Sequence, residues 1–181
     1  MGNGFTLWFT GLSGAGKTTI AEIVGPELER RGRIVEYLDG DAVRQHLSKG
    51  LGFSKEDRDT NITRIGWVAS RLTRHGGAVI TAAISPYEET RQLARTEVEQ
   101  FGPFVEVFVK ATVDECARRD TKGLYRKARA GKLANFTGVD SPYEAPEAPE
   151  ICIDTLAMDA EAAADQIVRY LDRLETITDA K

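Results

Sequence analysis

Gly11-Leu12-Ser13-Gly14-Ala15-Gly16-Lys17-Thr18 completes a Gly-x-x-x-x-Gly-Lys-Thr pattern, and its two flanks decide the fold. Ahead of it runs Phe5-Thr6-Leu7-Trp8-Phe9-Thr10, apolar, aromatic and short, which is the composition of a buried strand. Behind it, Thr19-Ile20-Ala21-Glu22-Ile23-Val24 opens a helical pattern. Strand, glycine loop and helix in that order make a phosphate cradle. Glycines let the backbone wrap around phosphate oxygens, while the loop N–H groups and the helix N-terminus point at the anion. Lys17 adds a point charge for the β- and γ-phosphates, and the Thr18 hydroxyl can ligate Mg²⁺. A nucleoside triphosphate is therefore the expected ligand. The guanine-reading Asn-Lys-x-Asp motif is absent, which favours ATP over GTP.

Outward from this loop, apolar runs alternate with helical patterns. Ile34–Leu38 reads as a second strand that ends at Asp39-Gly40-Asp41, and Ser54 to Arg74 as a long amphipathic helix with Ser54 and Asp57 at capping spacing. Ala78–Ala83 is a third strand, Pro86 to Gln100 a helix, Phe104–Val109 a fourth strand and Thr112–Arg119 a short helix. Glu150–Asp154 and Asp159–Leu174 supply a fifth strand and a closing helix. Such alternation predicts an α/β fold, a parallel five-stranded sheet with helices on both faces. Ligands in these sheets bind beyond the carboxyl ends of the strands, so Gly11–Thr18, Asp39–Asp41, Ala83–Tyr87 and Lys110–Thr112 should share one rim. No internal repeat or linker interrupts the pattern, and a single domain over 1–181 is expected.

A second chemical site is written on that rim. The third strand ends without the acid that often accompanies Mg²⁺, and the acids Asp39 and Asp41 follow the second strand instead. An acid there can orient Mg²⁺ through water or accept a proton from an acceptor hydroxyl, although Asp-Gly-Asp is also ordinary turn chemistry. Helical spacing brings Arg58, Asn61 and Ile65 to one face; Arg44 and Arg58 could grip a second anion, and Phe53 could stack on a ring. Between the fourth and fifth strands, Arg118 to Gly138 is basic, with Asp120 as its sole acid and glycines at 123, 131 and 138 to permit hinge motion. It reads as a mobile lid, spanning about 118–140, over a phosphoryl-transfer site. The residues by themselves describe an ATP-dependent kinase of a small anionic acceptor.

Composition narrows the alternatives. A net charge of −4 argues against a dedicated nucleic-acid binder. No apolar run approaches the roughly 20 residues of a membrane span, and no export signal is read at the N-terminus. Cys116 and Cys152 lack metal-ligand spacing and read as buried, inert thiols, in keeping with a reducing cytoplasm.

GFTLWFTGLSGAGKTT, LDGD, LGFSKEDRDTNITRI, ISPY, KGLYRKARAGKLANFTGVDSPYEAP and PEI together resemble the adenylyl-sulfate (APS) kinases, in that family's order, from Gly4 to about Ile151. The resemblance implies a P-loop, nucleotide-kinase-like fold and transfer of phosphate from ATP to the 3′-hydroxyl of APS, giving 3′-phosphoadenylyl sulfate (PAPS). It implies that Gly11, Ser13, Gly14, Ala15, Gly16, Lys17, Thr18 and Thr19 hold ATP, with Thr18 on Mg²⁺ and Arg118 near the ATP adenine. Lys17, Asp39 and Asp41 would be catalytic, Asp41 partnering the acceptor hydroxyl. Arg44, Arg58 and Asn61 would hold the sulfate–phosphate anhydride of APS, and Phe53 and Phe136 would sandwich its adenine. Plainer readings are core packing for Phe53 and lid-to-body packing for Phe136. Ile84 and Ser85 would line the acceptor ribose, and Lys122 and Leu124 would join on lid closure. The family also raises Ser85 as a phosphorylated residue, but direct in-line transfer needs no covalent nucleophile, and Ser-Pro commonly starts a helix. Further implications are a homodimer and association with ATP sulfurylase. A family-type N-terminal extension and its redox control are not carried over, since Met1 to Asn3 alone precede the match.

Overall fold

The computed structural model describes residues 4–179, apart from the side chains of Asp41 and of residues 175–179. Its first strand, β1 (Phe5–Thr10), is buried along its whole length. Helix α1 (Lys17–Arg30) follows the glycine loop, then β2 (Val35–Asp39), α2 (Gly40–His46) and α3 (Lys55–Arg74). The chain continues through β3 (Ala78–Ala82), α4 (Glu88–Glu99), β4 (Phe104–Lys110), α5 (Val113–Arg119), α6 (Leu124–Arg129), β5 (Ile151–Asp154) and α7 (Ala160–Asp179). All pairings in the sheet are parallel, in the order β2-β3-β1-β4-β5.

Period-two alternation in β1 sends its side chains to two cores. Phe5, Leu7 and Phe9 pack with Ile20, Val24 and Leu28 of α1 and with Ile167 and Leu171 of α7. Trp8 faces the other way, into Ile62, Ile65 and Ala69 of α3 and Ala94 and Val98 of α4. Thus α1 follows β1 onto one face and α4 follows β3 onto the other, and β1 and β3 are neighbours. Where successive connections diverge between adjacent strands, a crevice opens at the carboxyl ends.

Local chemistry explains most element ends. Ser54 caps α3, its hydroxyl accepting the Asp57 N–H at 3.2 Å, and Thr112 caps α5 in the same way from Glu115. The plain-turn alternative for Asp39-Gly40-Asp41 does not hold: Asp39 is the last residue of β2, and Gly40 is the first of α2. Two readings need correction. Ser85 does not start a helix; α4 begins at Glu88, and Ser85 is 1% exposed with φ +41°. Cys152 is exposed rather than buried, because it alternates with the inward Ile151 and Ile153 along β5. Among the described residues no helix is long and apolar enough to cross a membrane.

Helices α3 and α4 approach closely at Gly66, where a β-carbon would stand 2.8 Å from Ala94 Cβ and 2.9 Å from its Cα. Alanine in place of a helical glycine ordinarily gains about 1 kcal/mol of helix propensity. Here the clash involves backbone, and overpacking costs about 1–3 kcal/mol. Gly66→Ala should therefore lower the denaturant midpoint of unfolding, whereas Gly→Ala at an open helical site would raise it.

Candidate active site

The glycine loop runs from the buried end of β1 to the start of α1. Gly11 has φ +145° and lies so close to β4 that a β-carbon would meet the Val109 carbonyl oxygen at 2.4 Å, and Gly16, the N-cap of α1, has φ +111°. Side chains other than glycine rarely adopt that backbone, so the loop's course depends on these residues. Lys17 is 7% exposed and donates from Nζ to the Gly11 and Leu12 carbonyls, both at 2.8 Å. Burial pulls its amine down to about 8 from 10.5, partly countered by the nearby Asp39 charge. Thr18 Oγ1 donates to Asp39 Oδ2 at 3.3 Å, placing a hydroxyl and a carboxylate side by side at the loop. Hard oxygen donors of this kind suit Mg²⁺ completed by water and substrate phosphates.

From the loop a cleft of about 1210 Å³ extends across the rim. Ser13 to Thr19 and Asp39 line one part of it, and Arg44, Phe53, Arg58, Asn61, Ile84, Ser85 and Phe136 another, with Lys122 and Leu124 also in the wall. The residues expected to face two ligands are thus brought into one space. Gly11 and Arg118 do not line it. Arg118 extends into solvent, its side chain 74% exposed, and pairs with Glu115 at 2.7 Å. Asp41 stands at the second position of α2 on the same rim, and its side chain lies outside the described residues.

Phe53 is no core aromatic: it is 47% exposed. The Arg44 guanidinium lies 4.4 Å from its ring centroid and that of Arg58 5.7 Å away. Arg58 is nearly buried, and burial pulls its pKa down. It donates through Nε to the Phe53 carbonyl at 2.9 Å and through Nη1 to Thr137 Oγ1 at 2.8 Å, and it also holds the Asn135 carbonyl. Arg58 therefore ties the loop before α3 to the segment around Phe136. Phe136, 7% exposed, meets Tyr125 of α6 edge-on at 4.9 Å. Asn61, 4% exposed, carries a buried Oδ1 with no hydrogen-bond partner in the protein. A buried unsatisfied polar atom is uncommon, and in a cleft wall it marks where a ligand would bond.

Three contributors escaped the sequence reading. Arg119, not Arg118, lines the cleft: its Nη1 donates to the Ala15 carbonyl at 3.2 Å and to Thr155 Oγ1 at 3.1 Å, and Nη2 to the Thr155 carbonyl at 3.2 Å. Thr155, just beyond β5, has no motif that could have announced it. Tyr125 donates to the Ser13 carbonyl at 3.0 Å, docking α6 on the glycine loop. Its signal was present within the KGLY stretch, but its partner is 112 residues away.

The family model described as adenylylsulphate kinase matches residues 3–154. An adenylyl-sulfate kinase of Synechococcus sp. (strain JA-3-3Ab) is 55% identical over 168 residues, 93% of this chain and 94% of that one. A probable bifunctional SAT/APS kinase of Sorangium cellulosum is 53% identical over 97% of this chain, which spans 29% of that longer protein. Among solved structures, the Mycobacterium tuberculosis APS kinase in complex with AMPPNP and APS superposes with a TM-score of 0.91 at 42% identity, covering 95% of this chain and 99% of that one.

The lowered Lys17 value predicts a pH dependence. Between about pH 8 and 10.5 the unfolded chain keeps a proton on Lys17 that the folded, ligand-free chain has released. Stability therefore rises with pH across that window. Each tenfold change in proton affinity is worth about 1.4 kcal/mol. Relative to Lys17→Met, whose side chain does not titrate, the wild type should therefore gain up to about 3 kcal/mol over this range. Parallel urea titrations at pH 7.5 and 10 check this. Equal differences between the two proteins at both pH values would contradict it.

Proposed function

This chain belongs to the adenylylsulphate kinase family, and we propose that it transfers the γ-phosphoryl group of ATP to the 3′-hydroxyl of adenylyl sulfate, giving PAPS and ADP. The observation that carries this reading is the single cleft joining a phosphate loop to the Arg44–Phe53–Arg58–Asn61 pocket. Support comes from the 42%-identical relative, whose complex holds an ATP analogue and APS together.

In the donor half, loop N–H groups and the α1 N-terminus take the phosphates, and Lys17 leaves its two carbonyls for the γ-phosphoryl oxygens. Thr18 would ligate Mg²⁺, with Asp39 holding a metal-bound water; the ion would neutralise charge on the β- and γ-phosphates. Arg118, exposed at the end of α5, is assigned to the adenine side on resemblance alone. In the acceptor half, Arg44, Arg58 and Asn61 grip the sulfate–phosphate anhydride. Phe53 and Phe136 cover the acceptor adenine, and the Ile84–Ser85 backbone bounds the ribose.

The acceptor 3′-oxygen bonds to the γ-phosphorus as the bond to the β-bridging oxygen breaks, and Asp41 receives the hydroxyl proton. Ser85 stays unmodified, as its burial against Trp8 suits a wall residue better than a nucleophile. Lid closure over 118–140, within a single domain of 1–181, brings Lys122, Leu124 and Phe136 onto the acceptor and excludes water. A cytoplasmic homodimer completes the reading. Association with ATP sulfurylase is supported by the bifunctional relative.

Incubation with ATP, Mg²⁺ and APS should release ADP and PAPS in equal amounts, and absence of PAPS would refute the assignment. Asp41→Ala should lower kcat by roughly 100-fold or more, the range for loss of a general base, with ATP affinity changed little. Near-normal turnover would remove Asp41 from that role.

A further inference from the structure

Arg91 of α4 has no exposed side-chain surface and lies outside the cleft's lining. Its Nη1 donates to the Ser85 carbonyl at 2.8 Å and its Nη2 to the Glu144 carbonyl at 2.8 Å, with Glu88 also paired to Nη2. Its Nε stands 2.8 Å from Glu106 Oε1 on β4, an electrostatic contact out of line for a hydrogen bond. Glu106 is itself 3% exposed. A buried ion pair adds little net stability, because desolvation consumes most of the attraction, and apolar residues of similar volume often serve as well. Here α4 and β4 already share an apolar core through Ala94, Val98 and Phe104. Packing therefore gives no reason for a guanidinium at this position.

Ser85 supplies the reason. With φ +41° it is one of three described non-glycine residues in the left-handed region. Such backbone is strained and persists where its surroundings over-determine it. Trp8 Nε1 donates to Ser85 Oγ at 3.2 Å, Thr10 Oγ1 donates to the Ile84 carbonyl at 2.8 Å, and Arg91 takes the Ser85 carbonyl. Of these three donors Arg91 alone is charged, and Glu106 opposes its withdrawal.

We propose that Arg91, oriented by Glu106, is a positioning residue that holds the strained Ile84–Ser85 turn as the wall of the acceptor site and thereby sets affinity for adenylyl sulfate. The inference rests on the acceptor assignment of that turn. Without the buried charge the turn relaxes towards negative φ, and its backbone groups leave the ribose. The donor loop touches this turn through the Gly11 N–H, 3.4 Å from the Ile84 carbonyl, but it is built on β1 and α1, so affinity for ATP changes far less.

Steady-state kinetics with each substrate varied, together with thermal unfolding, test this on the full chain. Glu106→Gln keeps shape while removing the opposing charge, and Arg91→Met removes the donor. Losing a hydrogen bond from a charged group is worth about 1.5–3 kcal/mol, so Arg91→Met should raise the KM for adenylyl sulfate roughly 10- to 100-fold, with the KM for ATP within about twofold. Glu106→Gln should shift it the same way but less, and Arg91→Lys, which keeps one donor and the charge, should recover part of the loss. Arg31→Met is the control. It breaks the ion pairs with Glu27 and Asp172 between α1 and α7, far from Glu106, and should move neither KM. If Arg91→Met does not fold, Glu106→Gln and Arg91→Lys decide. An unchanged adenylyl sulfate KM in these variants, or both KM values rising together, would overturn the proposal. A wild-type protein that makes no PAPS would instead refute the functional reading beneath it.

Discussion

The whole arrangement hangs on β1 being hydrogen-bonded on both sides and buried on both faces. A strand in that position cannot shift register without turning Phe5, Leu7 and Phe9 out of one core and Trp8 out of the other. Its carboxyl end is therefore firmly placed on the rim, and the glycine loop departs from it. Gly11 passes so near the Val109 carbonyl that the loop's direction is set by β4 as much as by its own sequence. Thr10, the last residue of β1, reaches across to the Ile84 carbonyl and to Tyr143. One strand end thus fixes both the glycine loop and the Ile84–Ser85 turn proposed as the acceptor wall.

Cationic groups collect around this point in a chain whose net charge is negative. Lys17 and Arg58 are both pulled down by burial, and their donors go to backbone carbonyls and, for Arg58, also to the Thr137 hydroxyl. Carbonyl and hydroxyl dipoles satisfy hydrogen bonding but neutralise no charge, so the desolvation cost of each cation is left only partly offset. The anionic ligands proposed for this cleft would supply the missing charge.

How much of this was legible depends on how far apart the partners lie. The strand–loop–helix unit, the Ser54 cap and the shared face of Arg58, Asn61 and Ile65 are local patterns, and each was readable from spacing. Helix α2 was hidden because seven residues opening with Gly-Asp carry turn chemistry and too few repeats to show a period. On α5, Arg118 and Arg119 are equally basic neighbours; about 100° of helical rotation between them decides which one faces the cleft, and a seven-residue helix does not betray its inner side. Ser-Pro at 85–86 carried a correct local preference that tertiary contacts from Trp8 and Arg91 override. The resemblance supplied the acceptor's identity, which no local pattern held: Phe53 read alone fits a core as well as a ligand, and exposure alone separates the two.

The basic segment between β4 and β5 contacts both halves of the cleft. Tyr125 bonds the Ser13 carbonyl in the donor loop while its ring supports Phe136, and Asn135 and Thr137 on either side of Phe136 are held by Arg58. A displacement of Ser13 therefore reaches Phe136 through one aromatic contact, and a displacement of Phe136 reaches Phe53 through one guanidinium. Long-range coupling of this kind needs an element with two arrangements that both sites bias. Glycines of positive φ at 123, 131 and 138 punctuate the segment on both sides of these contacts, outside α6 itself. One segment thus borders both parts of the cleft, and the closure proposed for it would shield a bound triphosphate from water.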